Sequence, residues 1–157
     1  MLFRLQHIKH HKLASAESEL RKATQKLKDA EEVLHDANQA VLSYQQWRIK
    51  AEKQQFDSIQ KQLLSIAKLD LMRQEVAAMR EEEARQYQRI LELEKKRAEL
   101  KTQRDVCQRN VHICEKNVEK YAEIIKQHQA ELRVTQERKS EHELDEFAIL
   151  QYQGKPL

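Results

Sequence analysis

Apolar residues recur along the first third of the chain at alternating spacings of three and four residues. The series comprises Leu13, Ala16, Leu20, Ala23, Leu27, Ala30, Leu34, Ala37, Val41 and Tyr44. A mean spacing of 3.5 residues places these side chains on one helix face and is typical of a left-handed coiled coil. Leucine alternates with alanine through most of the series, which lets a partner helix approach closely if it supplies larger side chains. The pattern predicts a long first helix that pairs with another helix.

A second apolar series in the later part of the chain supplies such larger side chains. It comprises Cys107, Val111, Cys114, Val118, Tyr121, Ile125, His128 and Leu132, and Ile90, Leu93 and Leu100 extend it upstream. Arg97 and Arg104 interrupt that extension. Two complementary stripes in one chain predict an all-α fold, a long two-helix antiparallel coiled-coil hairpin.

The positions of glycine and proline set the expected boundaries of this hairpin. Gly154 and Pro156 are the only residues of these types, so helix is the default over the preceding residues. We predict a single hairpin over residues 1–157, with arm one at about 2–64, a turn at about 65–70 and arm two at about 71–150. Residues 151–157 are predicted to be a short disordered tail. Ser65 and Asp70 are both possible N-caps of the second helix, and we favour Asp70.

The apolar pattern is disturbed near the middle of the chain. The stripe would continue at Arg48 and Ala51, whereas the apolar residues run through Phe56, Ile59, Leu63 and Ile66. After the predicted turn, Leu69, Met72, Val76 and Met79 form another run, which ends at the sequence REEEARQ. We therefore predict that the heptad phase slips after Tyr44, and that this region holds more apolar residues than one seam can bury.

Composition and charge narrow the classes of function. The 157 residues include 29 basic and 26 acidic ones, and the two signs alternate along the chain. Interspersed charges are typical of solvated helix faces and argue against a nucleic-acid-binding track. No stretch approaches the roughly 20 apolar residues of a membrane span, so we expect a cytoplasmic protein without direct membrane insertion. Cys107 and Cys114 lie about 10.5 Å apart on one helix, too far for a disulfide.

Candidate chemistry is sparse. The chain has no glycine-rich phosphate loop and no recurring set of nucleophile, base and orienting partner. His7, His10 and His11 share the first helical turns, but a structural zinc site needs four ligands and no cysteine or carboxylate lies nearby. We expect no enzyme, no catalytic residue, no metal and no cofactor. The histidines and their basic neighbours instead predict a basic end that meets an acidic partner.

Two apolar groups have alternative interpretations. Trp47, the only tryptophan, either packs locally near Tyr44 or is an exposed anchor for a partner. The run containing Met72, Val76 and Met79 either closes the end of the hairpin or belongs to a partner-binding surface.

The ends of the chain carry a resemblance to a known family. The start MLFRLQHIKHHKLASAESELRKA joins an apolar and basic segment to a Leu/Ala heptad with Glu17 and Glu19, and the chain ends near EHELDEFAILQYQ. Together with the middle that lacks glycine and proline, these features resemble the YscO/FliJ family of type III secretion proteins, and its virulence-type YscO branch in particular.

The resemblance implies a fold similar to the central stalk (gamma) subunit of rotary ATPases. It implies a cytoplasmic protein at the base of the secretion apparatus that binds the type III secretion ATPase and promotes assembly of its hexamer. Contacts with the export-gate membrane protein and with secretion chaperones are implied as well. The free protein is expected to be a monomer.

Two sets of partner-binding residues follow from the resemblance. By analogy with rotary stalks, the end that carries both termini would enter the ATPase ring; its candidate residues are Leu2, Phe3, Leu5, Ile8, Lys9 and Lys12, facing Phe147 and Leu150. In the flagellar branch, gate binding falls on exposed apolar and aromatic positions near the middle of the chain. The corresponding candidates for gate or chaperone binding are Tyr44, Trp47, Met72, Val76 and Met79.

Two other classes of protein compete with this interpretation. A generic, parallel dimeric coiled-coil scaffold of tropomyosin-like kind would need a continuous stripe through residues 45–90. A prefoldin-like chaperone would need β-hairpins, and the chain has neither the β-branched runs nor the glycine turns for them.

Light scattering separates the hairpin from the scaffold. We expect the free protein to have the 18.8 kDa mass of one chain, because its two stripes satisfy each other. A mass of twice that value would favour the dimeric scaffold.

Overall fold

A computed structural model describes residues 1–61 and 65–154 of the chain. Helix α1 spans Leu2–Lys61 and helix α2 spans Ile66–Gln153. The two helices pack against each other, and the described residues include no β-strand. The predicted all-α fold, a helical hairpin, is confirmed.

The contacts within the chain divide it into two compact units. Unit 1 combines Met1–Ser18 with Gln108–Leu157, and unit 2 is Glu19–Cys107. Each unit contains a part of α1 and a part of α2.

The core of unit 2 is a narrow seam between the helices. Leu34 and Val41 of α1 and Ile90 of α2 form a buried cluster, with Ala37 and Leu93 packed against it. The alternation of leucine and alanine explains this packing, because alanine leaves room on α1 for the larger side chains of α2. Every residue of the first predicted stripe, from Leu13 to Tyr44, is buried or half-buried.

The heptad phase of α1 continues unchanged from Tyr44 to Gln55, and the predicted slip is wrong over these residues, while Ile59 of the predicted apolar run is half-buried. Arg48, Ala51 and Gln55 keep the same spacing and are all half-buried, whereas Phe56 is exposed. Backbone geometry decides which positions face α2, and it continues at the same period when the side chains become polar. On α2, Leu69, Met72, Val76, Met79, Glu83 and Gln86 lead to buried Ile90 with the same spacing, and all six are half-buried.

The seam of unit 1 ends part-way along α2. Val111 and Ile125 are buried, and the Lys9 ammonium lies 5.3 Å from the centre of the Tyr121 ring. With Lys9 beside Tyr121 in an antiparallel pair, the start of α1 at Leu2 comes level with the region of His128. Residues 126–154 are accordingly all exposed. His128 and Leu132, which the sequence places on the stripe, therefore lie outside the seam.

The start of α2 differs from the prediction. The Lys68 N–H donates to the Ser65 hydroxyl at 3.4 Å, and the Leu69 N–H donates to the Ser65 carbonyl at 3.1 Å. Ser65 is therefore the N-cap, and Asp70 lies inside the helix. Of the predicted turn at 65–70, residues 66–70 are helical. Residues 62–64, which include Leu63 of the predicted apolar run, lie outside the described residues.

The end of α2 also differs from the predicted tail. Residues 151–153 are helical, and the Gly154 N–H donates to the Leu150 carbonyl at 3.0 Å. Residues 155–157, including Pro156, lie outside the described residues.

The seam predicts that two leucines of α1 contribute very differently to the free energy of unfolding. Leu34 is 4% exposed and Leu42 is 52% exposed. We expect Leu34→Ala to lower the free energy of unfolding by about 2–4 kcal/mol because it leaves a cavity in the buried cluster. Leu42→Ala, the matched control, should lower it by less than about 0.5 kcal/mol. Circular dichroism during thermal unfolding measures both, and equal losses would contradict the assigned seam.

Candidate partner-binding surfaces

Four charged side chains form a network within the seam of unit 2. The Arg48 guanidinium donates to Glu52 Oε1 at 2.8 Å and also to the Glu83 carboxylate. The Arg80 Nε donates to Glu52 Oε1 at 3.1 Å. The Arg48 and Glu83 side chains are only 14% and 13% exposed. Because both lie at seam positions, the network replaces apolar packing at this level of the hairpin.

The network keeps its members charged. The Arg80 guanidinium, followed by Arg48, lowers the pKa of the Glu52 carboxyl below its ordinary value of 4.5. The hydrogen bond to Glu52 in turn raises the pKa of Arg48. Ion pairs and charge-assisted hydrogen bonds favour the ionised form of each partner. These pKa shifts keep Glu52 and Arg48 ionised at neutral pH.

An open groove of roughly 760 Å³ lies beside this network in unit 2. Apolar side chains from both helices line it: Ile49, Phe56 and Ile59 from α1, and Leu69, Met72, Val76 and Ala77 from α2. Lys53 and Arg73 also line it, and neither has an ion-pair partner in the described part of the chain. We call this surface the unit 2 groove. It combines an apolar floor with positive charge.

Sequence reasoning missed two residues of the groove, Ile49 and Phe56. Both are exposed, and with Leu42 they repeat at intervals of seven on α1, outside the seam. A heptad spacing keeps them on one face, so they form a second apolar stripe beside the first. The signal was present in the sequence, but Phe56 was interpreted as part of a slipped core stripe.

The structure separates the five candidates for gate or chaperone binding. Met72 and Val76 line the unit 2 groove. The Tyr44 hydroxyl donates to the Met79 carbonyl at 3.2 Å, which places both residues at the seam. Trp47 lies two residues before Ile49, about 200° away around α1, and therefore faces away from the groove.

Both alternative interpretations of Trp47 hold in part. Its ring centre lies 5.5 Å from that of Tyr44, with the planes inclined at 41°. Such a tilted pair is a favourable aromatic contact. Nevertheless 56% of Trp47 stays exposed. Trp47 therefore packs locally and also presents an aromatic surface.

The candidates for the ATPase end lie in unit 1. Leu2 and Lys9 are half-buried, and Phe3, Leu5, Ile8 and Lys12 are exposed on α1. On α2, Phe147 and Leu150 are exposed. Phe147 follows Tyr121 by 26 residues, about 39 Å along a helix, whereas Leu2 precedes Lys9 by only seven. Contrary to the prediction, Phe147 and Leu150 therefore do not face the start of α1.

The end of α2 carries exposed apolar and acidic side chains, and residues 141–153 are all exposed. Its exposed apolar residues are Leu144, Phe147, Ile149, Leu150 and Tyr152, and its acidic ones are Glu141, Glu143, Asp145 and Glu146. We call residues 141–153 the C-terminal segment. By contrast, α1 carries no acidic residue before Glu17. Unit 1 thus presents one basic and one acidic apolar surface.

The described residues offer little for metal or membrane chemistry. Within residues 1–61 and 65–154, His, Cys, Asp and Glu side chains form no group that could hold a metal ion. Cys107 and Cys114 are both free thiols. Neither helix, over its described length, has an apolar stretch that could cross a membrane.

Comparison with known proteins identifies the family of the chain. Residues 2–150 match the family described as type III secretion protein YscO. The chain belongs to the YscO family. The crystal structure of the type III secretion protein YscO from Vibrio parahaemolyticus is similar to it, with a TM-score of 0.84 and 27% sequence identity. The match covers 94% of this chain and 92% of that chain. No curated protein matches the chain significantly in sequence.

The family match confirms the resemblance drawn from the chain ends. This YscO-family chain is a type III secretion protein, and the family is not a known enzyme family. We therefore treat the groove and the C-terminal segment as candidate partner-binding surfaces.

The charged seam predicts a pH dependence of stability. The pKa of Glu52 is lowered in the folded protein, so its contribution is present above pH 4.5 and is lost as the pH falls through the folded value. We expect Glu52→Gln to lower the melting temperature at pH 7 and to lower it less at a pH well below 4.5. The control is Glu137→Gln, because Glu137 makes only an exposed pair. A difference between wild type and Glu52→Gln that is the same at both pH values would contradict this assignment.

Proposed function

We propose that this YscO-family protein is a stalk component at the cytoplasmic base of a type III secretion apparatus. It binds the secretion ATPase through unit 1 and promotes assembly of the ATPase hexamer. The observation that carries the proposal is the C-terminal segment, a helix whose apolar side chains are all exposed. Exposed apolar clusters of this kind are typical of surfaces that a partner covers.

Two chemically different surfaces support an ATPase contact in unit 1. The start of α1 combines Phe3, Leu5 and Ile8 with the basic residues Lys9 and Lys12. The C-terminal segment combines apolar residues with four carboxylates. Because their charges are opposite, the two surfaces suit different sites on the ATPase. An ATPase subunit that offers one acidic and one basic site would be recognised in a defined orientation.

The proposed mechanism is mass action without chemistry. A protein that binds the assembled hexamer more tightly than the single ATPase subunit must shift the equilibrium toward the hexamer. An increase in ATP turnover then follows from the larger population of assembled rings.

The unit 2 groove and Trp47 provide the proposed link to the export-gate protein and to secretion chaperones. Ile49, Phe56, Met72 and Val76 offer apolar contacts, and Lys53 and Arg73 add positive charge. This combination suits an amphipathic helix with acidic residues beside its apolar stripe. Trp47, on another face of α1, is the anchor of a second contact.

Hexamer assembly tests the ATPase proposal. With the ATPase of the same secretion system, we expect the wild-type protein to raise both hexamer mass and ATP turnover. The double variant Phe147→Ser/Leu150→Ser should need at least about tenfold more protein for the same effect, since it removes two exposed apolar contacts. Leu91→Ser, at an exposed position of unit 2, is the matched control. If the double variant stimulates as well as the control while all proteins stay helical, the proposed ATPase contact is wrong.

Binding to the gate protein and to chaperones tests the groove and Trp47. We expect Phe56→Ala, at a residue that is 60% exposed, to weaken one partner by about tenfold without loss of helicity. Met72→Ala should weaken the same partner, and Trp47→Ala should weaken a partner bound to the other face. Calorimetry with the cytoplasmic part of the gate protein and with each chaperone provides the affinities. Unchanged affinities in all three variants would exclude both surfaces.

A further inference from the structure

The seam positions of α1 and those of α2 fall on one count of sevens along the sequence. Counted in sevens from Leu13, the seam positions of α1 lead in phase to those of α2 as far as Ile125. The described members are Leu13, Leu20, Leu27, Leu34, Val41, Arg48, Gln55, Leu69, Val76, Glu83, Ile90, Arg97, Arg104, Val111, Val118 and Ile125. A phase of this kind fits a hairpin, but it equally fits a parallel dimer of two extended copies. Phase alone therefore does not select the hairpin.

Two charged members of this series distinguish the arrangements. In the hairpin, Arg48 donates to Glu83 across the seam, and both are almost buried. In a parallel dimer in register, each seam position meets its own counterpart on the other copy. Arg48 would then face a second Arg48, and Glu83 a second Glu83. Each contact would bring like charges together away from water, which is strongly unfavourable.

We propose that the Arg48–Glu83 pair determines which helix pairs with which, and that it selects the chain's own second arm over a second copy of the chain. Polar groups at seam positions fix register and partner in coiled coils at some cost in stability. A buried ion pair is also seldom more stabilising than well-packed apolar side chains of similar size. The pair therefore serves to keep one chain in one hairpin.

The selection does not depend on the network as a whole. Glu52 lies beside Arg48 on the same helix, so its ion pair with Arg48 would survive in either arrangement. The Arg48–Glu83 contact joins α1 to α2, and only the hairpin can make it within one chain. Arg104, a half-buried seam residue, would add a further like-charge contact in the parallel dimer.

The first experiment removes the charges and measures mass against concentration. In Arg48→Leu/Glu83→Leu, positions 48 and 83 are apolar in both arrangements, and the like-charge contacts at these two positions are gone from the dimer. We expect the wild type to stay at 18.8 kDa and the double variant to reach twice that mass as its concentration rises. A double variant that remains a monomer throughout the range would overturn the proposal.

The second experiment uses charge reversal and remains decisive if the double leucine variant fails to fold. Arg48→Glu and Glu83→Arg each create a like-charge contact in the hairpin, and each should melt about 5–10 °C below the wild type. In an equimolar mixture, a dimer with one copy of each variant pairs opposite charges at both positions. We expect that mixture to form dimers that melt above either variant alone. Monomers with unchanged melting temperatures would overturn the proposal.

An exposed ion pair supplies the matched control. Arg133 and Glu137 form a pair in unit 1 whose side chains are largely exposed. Arg133→Glu and Glu137→Arg introduce the same changes in charge outside the seam. Alone and mixed, they should remain monomers with the melting temperature of the wild type. Dimers in the control mixture would show that charge reversal alone drives association, which would also overturn the proposal.

Discussion

A two-helix seam can bury only about two residues in every seven on each helix, and this limit governs the rest of the structure. In unit 2 the buried and half-buried positions keep one phase, from Leu20 through Gln55 on α1 and from Leu69 through Leu93 on α2. Apolar residues outside those positions have no place to be buried by the chain itself. Ile49 and Phe56 are therefore exposed by geometry, although their composition would suit a core.

The same limit makes polar residues costly when they fall on the seam. Arg48 and Glu83 occupy positions that leucine would fill in a seam built for stability alone. The seam tolerates these two residues because the guanidinium and the carboxylate pair with each other. Glu52 adds ion pairs with Arg48 and with Arg80. Such a network holds one relative position of the two helices, because a shift by one heptad would leave each charge without its partner.

Sequence periodicity predicted the part of the fold in which hydrophobicity and geometry agree. From Leu13 to Tyr44, each predicted stripe residue is at least half-buried. After Tyr44, apolar residues such as Phe56 line the groove, whereas the half-buried positions of the seam are partly polar. A rule based on apolar spacing therefore inferred a slip after Tyr44 that the backbone does not have. The N-cap is identified by the hydrogen bond from the Lys68 N–H to the Ser65 hydroxyl. The sequence alone does not show whether Ser65 or Asp70 accepts such a bond. The position of Phe147 relative to Leu2 depended on the register of α1 and α2, which two regular stripes leave undetermined.

Two of these disagreements, at Phe56 and at Phe147, lie on the surfaces for which partners are proposed. If the side chains of Gln55 and Phe56 were exchanged, the seam would gain an aromatic residue and the groove would lose the exposed aromatic ring at position 56. The observed order gives up core packing at that level and keeps an apolar surface in water. Departures of this kind from locally consistent design are expected where function competes with stability. The C-terminal segment follows the same logic, since its apolar side chains add nothing to the seam of unit 1 and gain a stabilising role only when a partner covers them.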